Sequence, residues 1–162
     1  MDILDYYPLG LFLLANFAAA CSGAFFRPGQ WYEDLKKPSW RPPNWVFAPA
    51  WSVLYVMIAI AGWMVWEDAG PGESTLPMTI YFVHLVLNFA WSGIFFGMKR
   101  IDLAFFEIIA LWGTLIAIIV TFHPINTTAA YLLIPYLFWA SFAGVLNFVV
   151  WQMNKASLSN AA

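Results

Sequence analysis

Five long apolar stretches, separated by short polar connections, dominate the chain. They cover residues 6–26, 45–66, 77–98, 103–123 and 129–151. A helix needs about 20 apolar residues to cross the roughly 30 Å hydrocarbon core of a bilayer, and each stretch meets that length. Transmembrane β-strands alternate in polarity over about 10 residues, whereas these stretches are apolar on nearly every side. The pattern predicts an all-α integral membrane protein, a bundle of five transmembrane helices.

Composition excludes a water-soluble monomer. Of the 162 residues, 62% are hydrophobic and 10% are charged, and the mean hydropathy is +0.71. Soluble domains carry roughly 25% charged residues, and a domain of about 150 residues buries only about 70% of its unfolded surface. The chain has seven basic and nine acidic residues. This balance leaves no basic stripe for a phosphate backbone, so we expect no nucleic-acid partner.

The distribution of charge predicts the orientation of the bundle. One side holds the C-terminus and every basic residue: Arg27, Lys36, Lys37, Arg41, Lys99, Arg100 and Lys155. The other side holds five acidic residues and no Lys or Arg: Asp2, Asp5, Glu67, Asp68 and Glu73. Lys and Arg in short loops stay cytoplasmic, which predicts an N-out/C-in topology. We expect a bacterial cell-envelope membrane rather than the mitochondrial outer membrane. Because no Lys or Arg precedes Arg27, the first stretch is interpreted as a retained span rather than a signal peptide.

A single membrane domain is expected over residues 1–162, with one long connection at residues 27–44. This connection contains Trp31, Tyr32, Trp40 and four prolines, so it is stiff and aromatic where a passive linker is rich in Gly and Ser. Loops of this length in compact proteins are often lids or binding loops. We predict a lid over the bundle.

The third span carries the clearest polar stripe. At about 100° per residue, His84, Asn88, Trp91 and Phe95 lie within about 60° of arc. Polar side chains are costly in a bilayer unless they face a partner, a cavity or water. Asn88 is therefore a candidate ligand-binding residue, with a helix–helix hydrogen bond as the alternative. His84 is interpreted as a structural histidine, and no metal site is expected.

Gly93 and Gly97 lie on the opposite face of the same span and form a GxxxG pattern. Small residues at this spacing let helix backbones approach closely in lipid. If the Asn88 stripe faces the bundle, the glycines face outward. We therefore predict a homodimer interface at Gly93 and Gly97, with an intramolecular contact as the alternative.

Two further faces predict a groove. Phe47, Trp51 and Tyr55 are spaced by four residues on the second span, which places three rings on one face. Trp139, Ala143 and Leu146 do the same on the fifth span, with a small residue between two large ones. The sequence contains no nucleophile with a paired base and no glycine-rich phosphate loop, so a hydrolase or kinase has no support.

Several motifs together resemble the TspO/MBR family of tryptophan-rich sensory proteins and translocator proteins, also called peripheral benzodiazepine receptors. They are Trp31-Tyr32, KPSWRPPNWVF at 37–47, Trp51, Leu54-Tyr55, LNFAW at 87–91, FFG at 95–97, PYL at 135–137, Trp139 and LNF at 146–148. The resemblance covers about residues 23–154, in four of the five spans and the long loop.

The resemblance implies a five-helix bundle that binds porphyrins such as protoporphyrin IX or haem, and also sterols and benzodiazepine-type ligands, in a cavity closed by the first loop. With Phe47 added from the aromatic face described above, the implied ligand-binding residues are Tyr32, Pro42, Pro43, Phe47, Trp51, Asn88, Trp91, Trp139, Ala143 and Leu146. Such a receptor or carrier, with a sensory or transport role, requires no cofactor. This chain departs from the family's sterol motif, which requires Tyr and then Arg where this sequence has Phe148 and Gln152. We therefore rank porphyrin above sterol or other lipid.

Two alternatives stay open. In some bacterial members, tryptophans matching Trp51 and Trp139 are implicated in light-dependent porphyrin breakdown, which would make these two residues catalytic. The second alternative is a structural or assembly subunit of a larger membrane complex, suggested by the large aromatic content and the absence of an obvious catalytic group.

Overall fold

The fold was obtained as a computed structural model, which describes residues 6–159 and their side chains as far as residue 156. Five helical segments are long and apolar enough to cross a membrane: Tyr7–Phe25, Asn44–Asp68, Thr75–Gly97, Ile101–Phe122 and Thr127–Ala156. We call them the first to fifth spans. Their limits lie within a few residues of those expected from the hydrophobic pattern, except that the fifth extends further at its end. The chain is an all-α integral membrane protein.

The described residues form eight α-helices and one π-helical turn. They are α1 (Tyr7–Ala20), α2 (Ser22–Phe25), α3 (Gln30–Asp34), α4 (Asn44–Asp68), α5 (Thr75–Ser92), the π-turn (Gly93–Gly97), α6 (Ile101–Phe122), α7 (Thr127–Leu132) and α8 (Ile134–Ser159). The short helix α3 lies within the long connection. Asp2 and Asp5, which the sequence analysis assigns to the acidic side of the bundle, lie outside the described residues.

The helices pack in the spatial order α4, α1, α5, α6 and α8 around the bundle, with α7 against α4. The main core lies in the half of the bundle far from the long loop. Its largest fully buried side chains include Ile58, Tyr81, Leu115, Phe122 and Tyr136. In contrast to these close contacts, α4 and α8 meet mainly through large aromatic side chains.

The fifth span is interrupted, which corrects the expectation of one continuous helix over 129–151. Helix α7 ends at Leu132 and α8 begins at Ile134. The cause is Pro135, which has no N–H to donate and whose ring clashes with the carbonyl of residue 131 in a continuous helix.

The third span changes geometry at its loop end. The carbonyl of Gly93 accepts from the N–H of Met98 at 2.8 Å, a hydrogen bond across five residues. Such π-helical turns are wider than an α-helix and shift the register of the residues that follow. The constant 100° per residue therefore does not hold across Gly93–Gly97, although both glycines contact the same side chain, that of Phe26.

Candidate functional site

Large rings from α4 and α8 face each other beneath the long loop. The ring centres of Phe47 and Trp139 are 5.8 Å apart, and those of Trp51 and Tyr136 are 6.0 Å apart. Tyr55 extends the α4 face, with its ring 5.7 Å from that of Trp51. We call these five rings, together with Asn88, the aromatic site. Because the rings contact one another, a flat ligand must separate them in order to enter.

Asn88 is the polar centre of the aromatic site and is 5% exposed. The Tyr55 hydroxyl donates to Asn88 Oδ1 at 2.7 Å, and Asn88 Nδ2 donates to the Tyr136 hydroxyl oxygen at 2.6 Å. Asn88 thus joins three helices through the helix–helix hydrogen bonds that were its alternative interpretation. The ligand-binding role of Asn88 stays a prediction. Sequence reasoning did not select Tyr55 or Tyr136 as site residues, although Tyr55 follows Trp51 at the four-residue spacing.

His84 lies one helical turn from Asn88 and is fully buried. Its Nδ1 is 2.9 Å from Thr114 Oγ1, and its Nε2 is 2.9 Å from the Tyr136 hydroxyl oxygen. Both ring nitrogens have protein partners, so the interpretation as a structural histidine is confirmed. Among the described residues, no group of three or more His, Cys, Asp or Glu side chains is placed to hold a metal ion.

Other predicted site residues form a separate cluster near the loop. The Trp91 ring stacks on Phe95 with 4.9 Å between ring centres, and Trp91 Nε1 donates to Asn147 Oδ1 at 3.2 Å. Leu146 is buried in the same cluster. Ala143 is half-buried on α8, one turn after Trp139. The structure therefore divides the predicted set between the aromatic site and this loop-side cluster.

The long loop packs onto the loop-side cluster. The ring of Tyr32 lies 5.4 Å from that of Phe96, and Arg41 Nη1 donates to the Tyr32 hydroxyl oxygen at 3.1 Å. Pro42 is half-buried, whereas Pro43 is exposed and caps the start of α4. Pro43 thus occupies the N-cap position of the second span, and its ligand-binding role stays a prediction.

Two open clefts lie elsewhere, on the outer surface of the bundle. One of about 380 Å³ is lined by Thr79, Phe82, Val83, Val86 and Leu87. Another of about 320 Å³ includes Tyr7, Trp66 and Phe82. Both are predominantly apolar and lie on helix faces that a bilayer covers, so they offer a flat ligand few directional contacts.

Phe26 of the same chain contacts the face formed by Gly93 and Gly97. A Cβ atom built on Gly97 would lie 2.9 Å from Phe26 Cδ1, and one on Gly93 would lie 3.4 Å from Phe26 Cε2. The expectation of a bare glycine groove is therefore wrong, and the intramolecular contact given as its alternative is present. A homodimer through these glycines stays a prediction.

Four side chains carry buried polar atoms that have no hydrogen-bond partner within the part of the chain that the structure describes. They are Asn16 (Oδ1), Trp63 (indole N–H), Glu107 (both carboxyl oxygens) and Trp139 (indole N–H). A buried polar group without a partner costs free energy and calls for an explanation. Trp139 thus has a free donor in the aromatic site.

A sequence profile of the TspO/MBR family matches residues 11–152. The chain is 39% identical over 150 residues to Protein CrtK of Rhodobacter capsulatus, covering 90% of this chain and 94% of that protein. It is 37% identical over 153 residues to the translocator protein of Bos taurus, covering 93% and 87%. It is 38% identical over 151 residues to the tryptophan-rich sensory protein of Cereibacter sphaeroides, covering 93% and 94%.

Proposed function

Because the chain belongs to the TspO/MBR family, we propose that it is a membrane receptor or carrier that binds porphyrin-type tetrapyrroles in the aromatic site. The names of two relatives, translocator protein and tryptophan-rich sensory protein, fit a role in which a bound apolar molecule is moved or detected. Protoporphyrin IX or haem is the ligand, and it requires no additional cofactor.

The observation that carries the proposal is the pairing of aromatic walls with a small polar centre between α4 and α8. Phe47 and Trp139 offer faces and edges for stacking on a flat ring system, at the separations that aromatic pairs prefer. Asn88 adds directional hydrogen bonding. Ligand pockets are mostly apolar, with a few polar groups that fix orientation. Side chains rather than packed backbones bridge α4 and α8. A ligand that enters between these helices must therefore displace rings, whereas the helix backbones can keep their positions.

Titration with protoporphyrin IX tests this proposal through tryptophan fluorescence. We expect saturable quenching in the intact protein and weaker affinity in Trp139→Phe and Asn88→Leu. Trp112→Phe is the matched control, because Trp112 lies on α6 and donates to Ser141 outside the aromatic site. Absence of saturable quenching, or equal affinity in all variants, contradicts binding at this site.

Light-dependent breakdown of the bound porphyrin is the second candidate. It is favoured by the indoles of Trp51 and Trp139, which lie on the two facing walls, and by the free N–H of Trp139. If the protein is a catalyst, the porphyrin absorbance bands disappear under illumination only when the protein is present. Trp51→Phe and Trp139→Phe would then slow this loss. A receptor or carrier would keep the bands.

For the orientation we propose N-out/C-in, in a bacterial cell-envelope membrane. The support is the presence of all basic residues at the end of the bundle that holds the long loop, the π-turn and the end of α8. Labelling of introduced cysteines in intact cells, at Glu73 and at Lys155, tests it. We expect an impermeant reagent to reach position 73 only.

A further inference from the structure

The hydrogen bonds around Asn88 continue across the bundle as a single chain from α4 to α6. In order, it passes through Tyr55, Asn88, Tyr136, His84 and Thr114, and it ends at the backbone carbonyl of Leu111. Each contact is between 2.6 and 2.9 Å. One end of the chain therefore lies in the aromatic site and the other on a helix that contributes no ring to it.

The direction of this chain is set at Thr114. Its Oγ1 is 2.8 Å from the carbonyl oxygen of Leu111 and 2.9 Å from His84 Nδ1. A carbonyl oxygen only accepts, so the single hydroxyl hydrogen of Thr114 is donated to Leu111. The other hydrogen bond of Thr114 must then receive its hydrogen from His84 Nδ1.

The same reasoning passes along the chain to the aromatic site. A neutral imidazole carries one N–H, and an imidazolium is costly in the apolar bundle, so His84 Nε2 accepts from the Tyr136 hydroxyl. The Tyr136 oxygen then accepts from Asn88 Nδ2, and Asn88 Oδ1 accepts from Tyr55. Tyr55 has thus committed its only hydroxyl hydrogen. Its oxygen can therefore only accept a hydrogen bond from any further partner.

We propose that Thr114 is a positioning residue that fixes the tautomer of His84 and thereby makes Tyr55 a hydrogen-bond acceptor toward the ligand. If the His84 hydrogen lay on Nε2, the fully buried Tyr136 hydroxyl would need Asn88 Oδ1 as the acceptor of its own hydrogen. The Asn88 amide would then turn over so that Nδ2 donates to the Tyr55 oxygen, and Tyr55 would have a hydrogen free to donate. The occupant of the aromatic site is therefore an aromatic molecule with an N–H or O–H group. Only this choice of ligand rests on the proposed function. The tautomer does not.

Nitrogen NMR of the ¹⁵N-histidine-labelled protein tests the tautomer directly, because the two imidazole nitrogens differ in chemical shift according to which carries hydrogen. The protein has two histidines, so the His123→Gln variant serves as the background in which His84 alone is observed. We expect hydrogen on Nδ1 in this background and in Thr114→Ser, and on Nε2 in Thr114→Val. Hydrogen on Nε2 in the background protein, or no change in Thr114→Val, overturns the proposal.

Binding of two matched probes tests whether the aromatic site prefers a ligand that donates a hydrogen bond to Tyr55. 2-Naphthol can donate a hydrogen bond, whereas 2-methoxynaphthalene only accepts. We expect Thr114→Val to lower the affinity ratio of naphthol to its methyl ether by about tenfold, the value of one hydrogen bond, and Thr114→Ser to retain it. An unchanged ratio, or no binding of either probe, overturns the specificity role. If the tautomer and ratio change as expected but protoporphyrin IX does not bind, the proposed function fails and this inference stands.

Discussion

Asn154 holds the backbone of Lys36 with two hydrogen bonds. Its Oδ1 accepts from the Lys36 N–H at 2.9 Å, and its Nδ2 donates to the Lys36 carbonyl at 2.9 Å. The two residues are 118 positions apart, so this side chain attaches the long loop to the last helix. The loop is therefore anchored to the bundle at its middle as well as at its two ends.

Removal of this anchor loosens the loop. Two hydrogen bonds at about 1 kcal/mol each lower the free energy of local opening by about 2 kcal/mol in Asn154→Leu, which corresponds to roughly 30-fold faster exchange. Hydrogen exchange across residues 29–41 measures this effect. Lys155→Ala is the control, because Lys155 is exposed beside it. Equal exchange in the two variants contradicts an anchoring role.

Bound ligand slows exchange in the same loop. In the loop, Tyr32 contacts Phe96 and Trp40 contacts Phe142 through ring edges. Phe142 also contacts Trp139 of the aromatic site, so a ligand beside Trp139 lies one ring away from the loop. We expect slower exchange over residues 29–41 at saturating protoporphyrin IX. Unchanged exchange would show that the loop does not take part in binding.

Gly62 allows the first three spans to pack closely. A Cβ atom there would lie 2.7 Å from Tyr81 Cε2 and 3.0 Å from Phe12 Cδ1. Tyr81 is fully buried and cannot move aside cheaply, so we expect Gly62→Ala to destabilise the fold by about 1–3 kcal/mol. Thermal unfolding in detergent measures the loss. Gly113→Ala is the control: nothing lies within 4 Å of its added Cβ, and helix propensity favours alanine there. Equal effects of the two changes would refute the close approach.

Glu107 lowers the stability of the bundle, because its two buried carboxyl oxygens have no partner among the described residues. We expect Glu107→Leu to stabilise the protein by about 1 kcal/mol, through removal of an unpaired polar group from an apolar site. Thermal unfolding of the purified Glu107→Leu protein measures this change in stability, with Glu107→Gln as the comparison variant. A clear loss of stability in Glu107→Leu would mean that the carboxyl group makes a favourable interaction in the membrane.

The hydrophobic pattern predicted the spans well because span length is a local property set by bilayer thickness. The break before Ile134 has a visible local cause in Pro135, although continuous hydropathy concealed it. The π-turn at Gly93–Gly97 has no such sequence signal, since the fixed angle per residue assumes a regular helix.

Side-chain partners across the bundle required the three-dimensional register. The stripe containing His84 and Asn88 was readable from the 3.6-residue period. Neither Thr114 nor Tyr136 stands out in its own helix as a partner for these residues, because both are flanked by apolar neighbours. Phe26 likewise reaches the glycine face only because the end of the first span packs against the third.

The location of bound porphyrin is the most direct test of the central claim. An experimental structure of the protein saturated with protoporphyrin IX in a lipid bilayer would show it. We expect the ring system between α4 and α8, in contact with Phe47, Trp51 and Trp139 and within hydrogen-bond reach of Asn88 or Tyr55. Porphyrin seated instead in the outer cleft at Phe82, with the rings of the aromatic site still in mutual contact, would contradict the account.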